Sequence, residues 1–136
     1  MSIPFPSDAW MKALMVELNR STSYAEAARN WEGDLVFVVD QVDGRAQPVR
    51  LYLDLWHGEC REAAELADDS SRSPSFLLSA PLAAWKKVLL KQLDPMQGMM
   101  TGQLKVKGNM ATLLKNIKAT KELVACLSLI PTTFPD

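Results

Sequence analysis

Apolar side chains recur along the 136-residue chain with two different periods, and the switches between them mark out the elements. Met11, Leu14, Met15 and Leu18 stand at i, i+3, i+4 and i+7 behind Ser7 and Asp8, the spacing of a capped amphipathic helix ending near 19–21. Ser23 and Glu26 have capping-box spacing, and Tyr24, Ala27, Ala28 and Trp31 line one face of a second short helix that Gly33 stops. The run LVFVVD (35–40) is β-branched and aromatic, which predicts a central strand buried on both faces. After a turn-forming linker at 43–48, Leu51, Leu53 and Leu55 alternate with Tyr52, Asp54 and Trp56, and His57-Gly58 predicts a hairpin into ECREA.

The polar run DDSSRSPS (68–75) reads as a surface loop, and FLLSA (76–80) as a fourth strand. Pro81 suits a helix start; Leu82, Trp85, Val88, Leu89 and Leu93 form its apolar stripe while Lys86, Lys87 and Lys91 face away. DPMQGMMTG (94–102) is expected to break that helix. QLKVKG then alternates strictly, with Leu104 and Val106 inward and Lys105 and Lys107 outward, as in an edge strand guarded by lysines. In a last helical region Met110, Leu113, Leu114 and Ile117 are expected to share a face that Leu123, Val124, Leu127 and Ile130 continue. The order α-α-β-β-β-β-α-β-α predicts an α+β fold, a five-stranded, mostly antiparallel sheet covered on one face by helices. One domain is expected over 1–136, since 48% hydrophobic and 23% charged residues fit a single globular core.

The net charge of −1 hides a division. Residues 1–72 carry 13 acidic and 7 basic side chains (−6), whereas 73–136 carry 3 acidic and 8 basic (+5), every later cation being a lysine. Nucleic-acid surfaces combine such charge with arginine forks and stacking aromatics; this half has no arginine and only Phe76, Trp85 and Phe134, so no nucleic-acid partner is expected. Lysines 86, 87, 91, 105, 107, 115, 118 and 121 form a solvated face that can touch anionic membranes transiently, at about 1 kcal/mol each near the surface. No apolar run reaches membrane-spanning length and MSIPFPSDAW lacks the pattern of a secretion signal, so a cytoplasmic protein is expected. Cys60 and Cys126, far apart and without C-x-x-C spacing, are expected to be buried reduced thiols rather than a disulfide or zinc site.

Catalytic signals are thin. MMTGQLKVKGNM (99–110) fails as a phosphate loop: five residues separate Gly102 from Gly108, Lys107 precedes the second glycine, and Asn109 stands where the lysine belongs. His57 is the sole histidine, and an odd offset sets Asp54 on the opposite strand face; a turn histidine explains it. Asp68-Asp69 and Asp40/Asp43 fall in loops or strand ends where solvation accounts for them. Methionine is what stands out, with Met96, Met99, Met100 and Met110 gathered in one region and Met11 and Met15 on the first helix. Pliable thioethers suit a deformable apolar surface.

The string NRSTSYAEAARNWEGDLVFVV (19–39) resembles the opening of bacterial single-domain members of the sterol carrier protein type 2 family: Asn-x-Ser/Thr, a Tyr, an Ala pair and a Trp before the first strand. Met100, Gly102, Leu104, Val106, Gly108 and Asn109 resemble that family's closing signature. The resemblance implies an apolar tunnel between sheet and helices for a fatty acyl chain, acyl thioester, sterol or similar lipid, with no catalysis and no cofactor. It puts 96–100 at the mouth, Leu104 and Val106 against the sheet, and the final helix as wall or lid. The candidate ligand-binding residues are then Met11, Leu14, Met15, Trp85, Leu89, Met96, Met99, Met100, Met110, Leu113, Leu114, Ile117, Val124 and Leu127. The expected state is a monomer or weak homodimer. One rival is an accessory or dimerisation module using the same apolar groove; another is a thioester enzyme using Asp54, His57 or Cys60.

Overall fold

The computed structural model describes residues 2–40, 42, 47–66 and 74–134; most of the expected linker at 43–48 and loop at 68–75 lies outside them. After a two-residue strand β1 (Ile3–Pro4), the Ser7 hydroxyl accepts the Trp10 N–H at 3.1 Å and starts α1 (Asp8–Arg20). Asp8 in the first turn and Arg20 in the last complement the helix dipole. Ser21 both ends α1 and caps α2 (Thr22–Ala27), its hydroxyl taking the Tyr24 N–H at 3.0 Å. The expected cap, Ser23, lies inside the helix instead, because Ser21 already has the extended backbone a cap needs.

Five strands form one sheet: β2 (Glu32–Asp40), β3 (Val49–Trp56), β4 (Glu59–Leu66), β5 (Phe76–Pro81) and β6 (Lys105–Lys107), in the order β4-β3-β2-β5-β6. Three of the four pairings are antiparallel and β2-β5 is parallel. The β3-β4 turn is His57-Gly58, both left-handed (φ 50° and 83°) as a two-residue hairpin turn requires. Gly58 is also pressed on α2; a Cβ there would lie 2.6 Å from the Ala25 carbonyl oxygen.

Leu35, Phe37 and Val39 of β2 and Leu51, Leu53 and Leu55 of β3 point into one hydrophobic core beneath the helices. The other face of β2 was expected to be buried too, but helices cover only one side of the sheet. Val36 is nonetheless buried on the outer face, flanked by its register partners Tyr52 and Leu77, while Val38 stays half-exposed.

Four further helices follow β5: α3 (Leu82–Leu89), α4 (Pro95–Thr101), α5 (Met110–Lys115) and α6 (Ile117–Leu127). A last strand, β7 (Thr132–Thr133), pairs parallel with β1. The expected break at 94–102 is in fact α4, capped by Asp94, whose carboxylate accepts the Met96 N–H at 3.0 Å, with Pro95 in its first turn. The single helical region expected after Gly108 is two helices. Asn116 interrupts it (φ −116°, ψ 35°) and donates its side-chain amide to the Thr112 carbonyl at 2.8 Å. That break turns Leu114 and Ile117 to solvent, 50% and 38% exposed, off the face they were expected to share with the buried Leu113.

Candidate functional site

Between the sheet and α3–α6 lies a small, almost wholly apolar cavity of about 60 Å³. Its floor is Leu35 and Phe37 of β2, Leu55 of β3 and Leu78 of β5, all inward positions of the period-two pattern. One wall is α3, fixed by Trp85: its indole N–H donates to the Val38 carbonyl at 3.0 Å and its ring sits 5.0 Å from that of Phe37. Tyr24 and Trp31 close the side toward α2. Burial pushes the Tyr24 hydroxyl pKa above its ordinary range, so the phenol stays neutral. The roof is assembled from Pro95 and Met99 of α4, Leu104, Leu113 of α5, and Ala119, Thr120, Leu123, Val124 and Leu127 of α6.

The sequence seats this roof. The Asn109 side chain accepts the Ala111 and Thr112 N–H groups at 3.0 and 3.3 Å and so starts α5. Gly108 (φ 137°) runs so close under β5 that a Cβ would lie 2.5 Å from the Phe76 ring. Beside the cavity a groove of about 280 Å³ opens between the α3–α4 connection and α6. Val88, Pro95, Thr120 and Val124 line both spaces. In place of the continuous tunnel implied by the sequence resemblance, the structure has a small cavity with an open groove beside it.

Of the fourteen candidate ligand-binding residues, the structure brings Trp85, Met99, Leu113, Val124 and Leu127 to the cavity and Met96 to the groove. Met11, Leu14 and Leu89 are buried in the core away from the lining, and Met15 and Met110 pack half-buried against it. Leu114, Ile117 and Met100 point outward, Met100 being 79% exposed. The floor residues and Trp31 and Tyr24 were not among the candidates. Their signal is present in the sequence: strand alternation groups Leu55 with Leu51 and Leu53 on one face, and helical spacing puts Tyr24 and Trp31 on one face.

The polar residues weighed for chemistry are otherwise engaged. His57 Nε2 meets Glu32 Oε2 at 2.6 Å on the exposed hairpin. Asp54 receives a two-pronged bond from Arg61, with Nε and Nη2 each 3.1 Å away. Cys60 is 2% exposed and burial raises its thiol to about 11, far from a thiolate at neutral pH. Cys126 is also buried, free and raised by burial. No group of three or more His, Cys, Asp or Glu side chains among the described residues is arranged to hold a metal ion. No described helix is long and apolar enough to cross a membrane.

An antiparallel-rich sheet with one face roofed by short helices around an apolar cavity defines a sterol-carrier-type domain. The chain belongs to the SCP-2 sterol transfer family, which matches residues 12–121. It is similar to a crystal structure of sterol carrier protein 2 at 36% identity and a TM-score of 0.84, covering 91% of this chain and 97% of that one. The solution structure of TT1886 from Thermus thermophilus matches at 36% identity and a TM-score of 0.80, over 92% and 88% of the two chains. The apo form of sterol carrier protein 2 from Yarrowia lipolytica, 18% identical over 87% and 88% with a TM-score of 0.60, shares the fold. No curated protein matches the chain.

Proposed function

We propose that this domain binds one long-chain apolar or amphiphilic lipid between its sheet and the α3–α6 roof, carries it, and performs no chemistry on it. The apolar cavity, with an open groove beside it that shares four of its lining residues, carries this reading. Membership of a sterol transfer family supports it. Ligand pockets usually measure about 300–1,000 Å³, so a chain enters only if α4–α6 shift outward and Met99 and Leu113 move with them. Burying about a dozen methylenes gains roughly 10 kcal/mol, and association takes back at least about 4 kcal/mol. A carrier of moderate affinity, able to release its cargo, fits that balance.

The absence of chemistry is supported by the protonated, buried state of Cys60 and by the exposed hairpin position of His57. Buried unpaired thiols suit a reducing compartment, and we assign the protein to the cytoplasm on that ground. Exposed Met100, Leu114 and Ile117 on α4–α6, among Lys105, Lys107, Lys115 and Lys118, favour brief contact of the roof with an anionic membrane while cargo is exchanged. Native mass spectrometry of gently purified protein should show a bound lipid, and palmitate should quench or shift tryptophan emission through Trp31 and Trp85. Protein that is always empty and unresponsive to palmitate, hexadecanol and cholesterol would sink the reading. A concentration-independent dimer by light scattering, burying those exposed side chains, would point instead to an association module.

A further inference from the structure

Building on the lipid-carrier reading, we propose that the open groove beside the cavity is a headgroup portal in which Lys91 and Lys121 select ligands bearing an anionic headgroup. The two lysines come from different elements, the turn after α3 and the first half of α6, yet line the same groove. Neither has an ion-pair partner among the described residues. The groove shares Val88, Pro95, Thr120 and Val124 with the apolar cavity, so one amphiphile can leave its chain inside and its polar end in the groove that Lys91 and Lys121 line. The remaining charge in the groove, Asp94, is already committed as the cap of α4 through the Met96 N–H. Two cations against one engaged carboxylate leave a site that favours an anion.

The backbone at Lys91 adds a second observation. The N–H groups of Lys91 and Gln92 turn back to the Val88 and Lys87 carbonyls at 3.1 and 2.8 Å and end α3, with Lys91 in the left-handed region (φ 61°). Glycine is the residue such a helix end ordinarily takes, having no Cβ to crowd. A lysine there carries a conformational cost that glycine would avoid, and Lys91 lines the groove. Lys91→Gly should therefore make the protein more stable and less selective together. A purely structural role for Lys91 would not produce that pairing.

The shared chemistry is a compact oxyanion on a long chain, and a carboxylate or a phosphate supplies it. Palmitate, hexadecyl phosphate and hexadecanol should be titrated into the wild type, Lys91→Gly, Lys121→Gln and the double variant, following tryptophan emission, with melting temperatures measured alongside. Wild type should prefer the anions to the alcohol by about tenfold, as two part-exposed charge contacts allow, and the double variant should lose that preference while holding hexadecanol as well as before. The anion with the larger loss identifies the headgroup. Equal affinity of wild type for all three chains, or a loss in the double variant that falls equally on hexadecanol, would overturn the portal while leaving the carrier reading intact. Failure of all three to bind wild type would remove both.

Discussion

One sheet supports two differently built coverings. Under α1, Met11, Leu14 and Leu18 share the core with Leu51 and Leu53, all with no measurable exposure. Under α4–α6 the same kinds of side chain leave a cavity. The contrast lies in helix length and in what ties the helix down. α1 runs 13 residues, and both its ends are fastened to edge strand β4: Asp8 accepts the Glu65 N–H at 2.9 Å, and the Asn19 amide exchanges two bonds with the Cys60 backbone, at 2.8 and 3.0 Å. These bonds also satisfy strand-edge groups that would otherwise face solvent or another chain. The roof is laid in pieces of 7, 6 and 11 residues, each begun anew at Asp94, Asn109 or Asn116. Helices this short depend on tertiary contacts for their existence. A covering made of separate short pieces has more places to yield than one continuous helix, which suits the lipid site proposed above.

The largest test separates the two coverings by stability. Leu14→Ala, which empties space beneath a rigid helix, should cost about 3–4 kcal/mol, whereas Leu113→Ala in the roof should cost about 2 kcal/mol, the low end for such truncations, because the roof can settle into an existing void. Urea unfolding of both variants measures this. Equal losses would mean that the roof is as tightly fitted as α1. Leu113→Ala should also remove a side chain that must otherwise move aside for cargo and so raise palmitate uptake, an effect that Leu14→Ala should lack.

A smaller change should sharpen the contrast from the other side. Ala119 lines the cavity from α6. Ala119→Leu would fill the void and should change stability by less than about 1 kcal/mol, since the added carbons enter space that is already present. Palmitate binding should weaken about tenfold, equivalent to about 1.4 kcal/mol. Undiminished binding with unchanged stability would move the ligand out of this cavity.

The rigid half was legible in the sequence because its pattern is long. The heptad-like spacing of Met11, Leu14 and Leu18 and the alternation of Leu51, Leu53 and Leu55 each run through enough residues to fix a face. The roof was not legible in the same way. Pro95 and Gly98 look like breakers, yet Pro95 opens α4, and Asp94 before it is the cap that signals a start. Asn116 carries no warning in the apolar spacing around it, so that spacing runs one stripe across two helices and groups Leu114 and Ile117 with the buried Leu113. Methionine content drew the candidate site toward Met100, which the short turn of α4 leaves in solvent. A cavity is a property of the gap between elements. Hydrophobic periodicity reports which side chains turn inward and carries no measure of how completely they fill the space they share.

The smallest expected effect lies where the two halves join. Asp34, on the outer face of β2, accepts the Tyr52 hydroxyl of β3 at 2.9 Å and the Ser75 N–H, just before β5, at 2.7 Å. Partial burial alone would raise its pKa, but these bonds outweigh burial and hold the carboxyl below its ordinary 3.8. A folded-state pKa below the unfolded value means that the unfolded chain takes up the proton first as pH falls. The stabilisation is therefore complete above about pH 5 and is lost as pH drops through 3.8 to the folded value. Wild type and Asp34→Asn should differ in urea midpoint at pH 7 by a modest, salt-sensitive amount, and the difference should narrow below pH 4 until the two curves meet. A gap that stays constant to pH 2 would show that the staple between the halves owes nothing to the carboxylate's charge and works as well through a neutral amide.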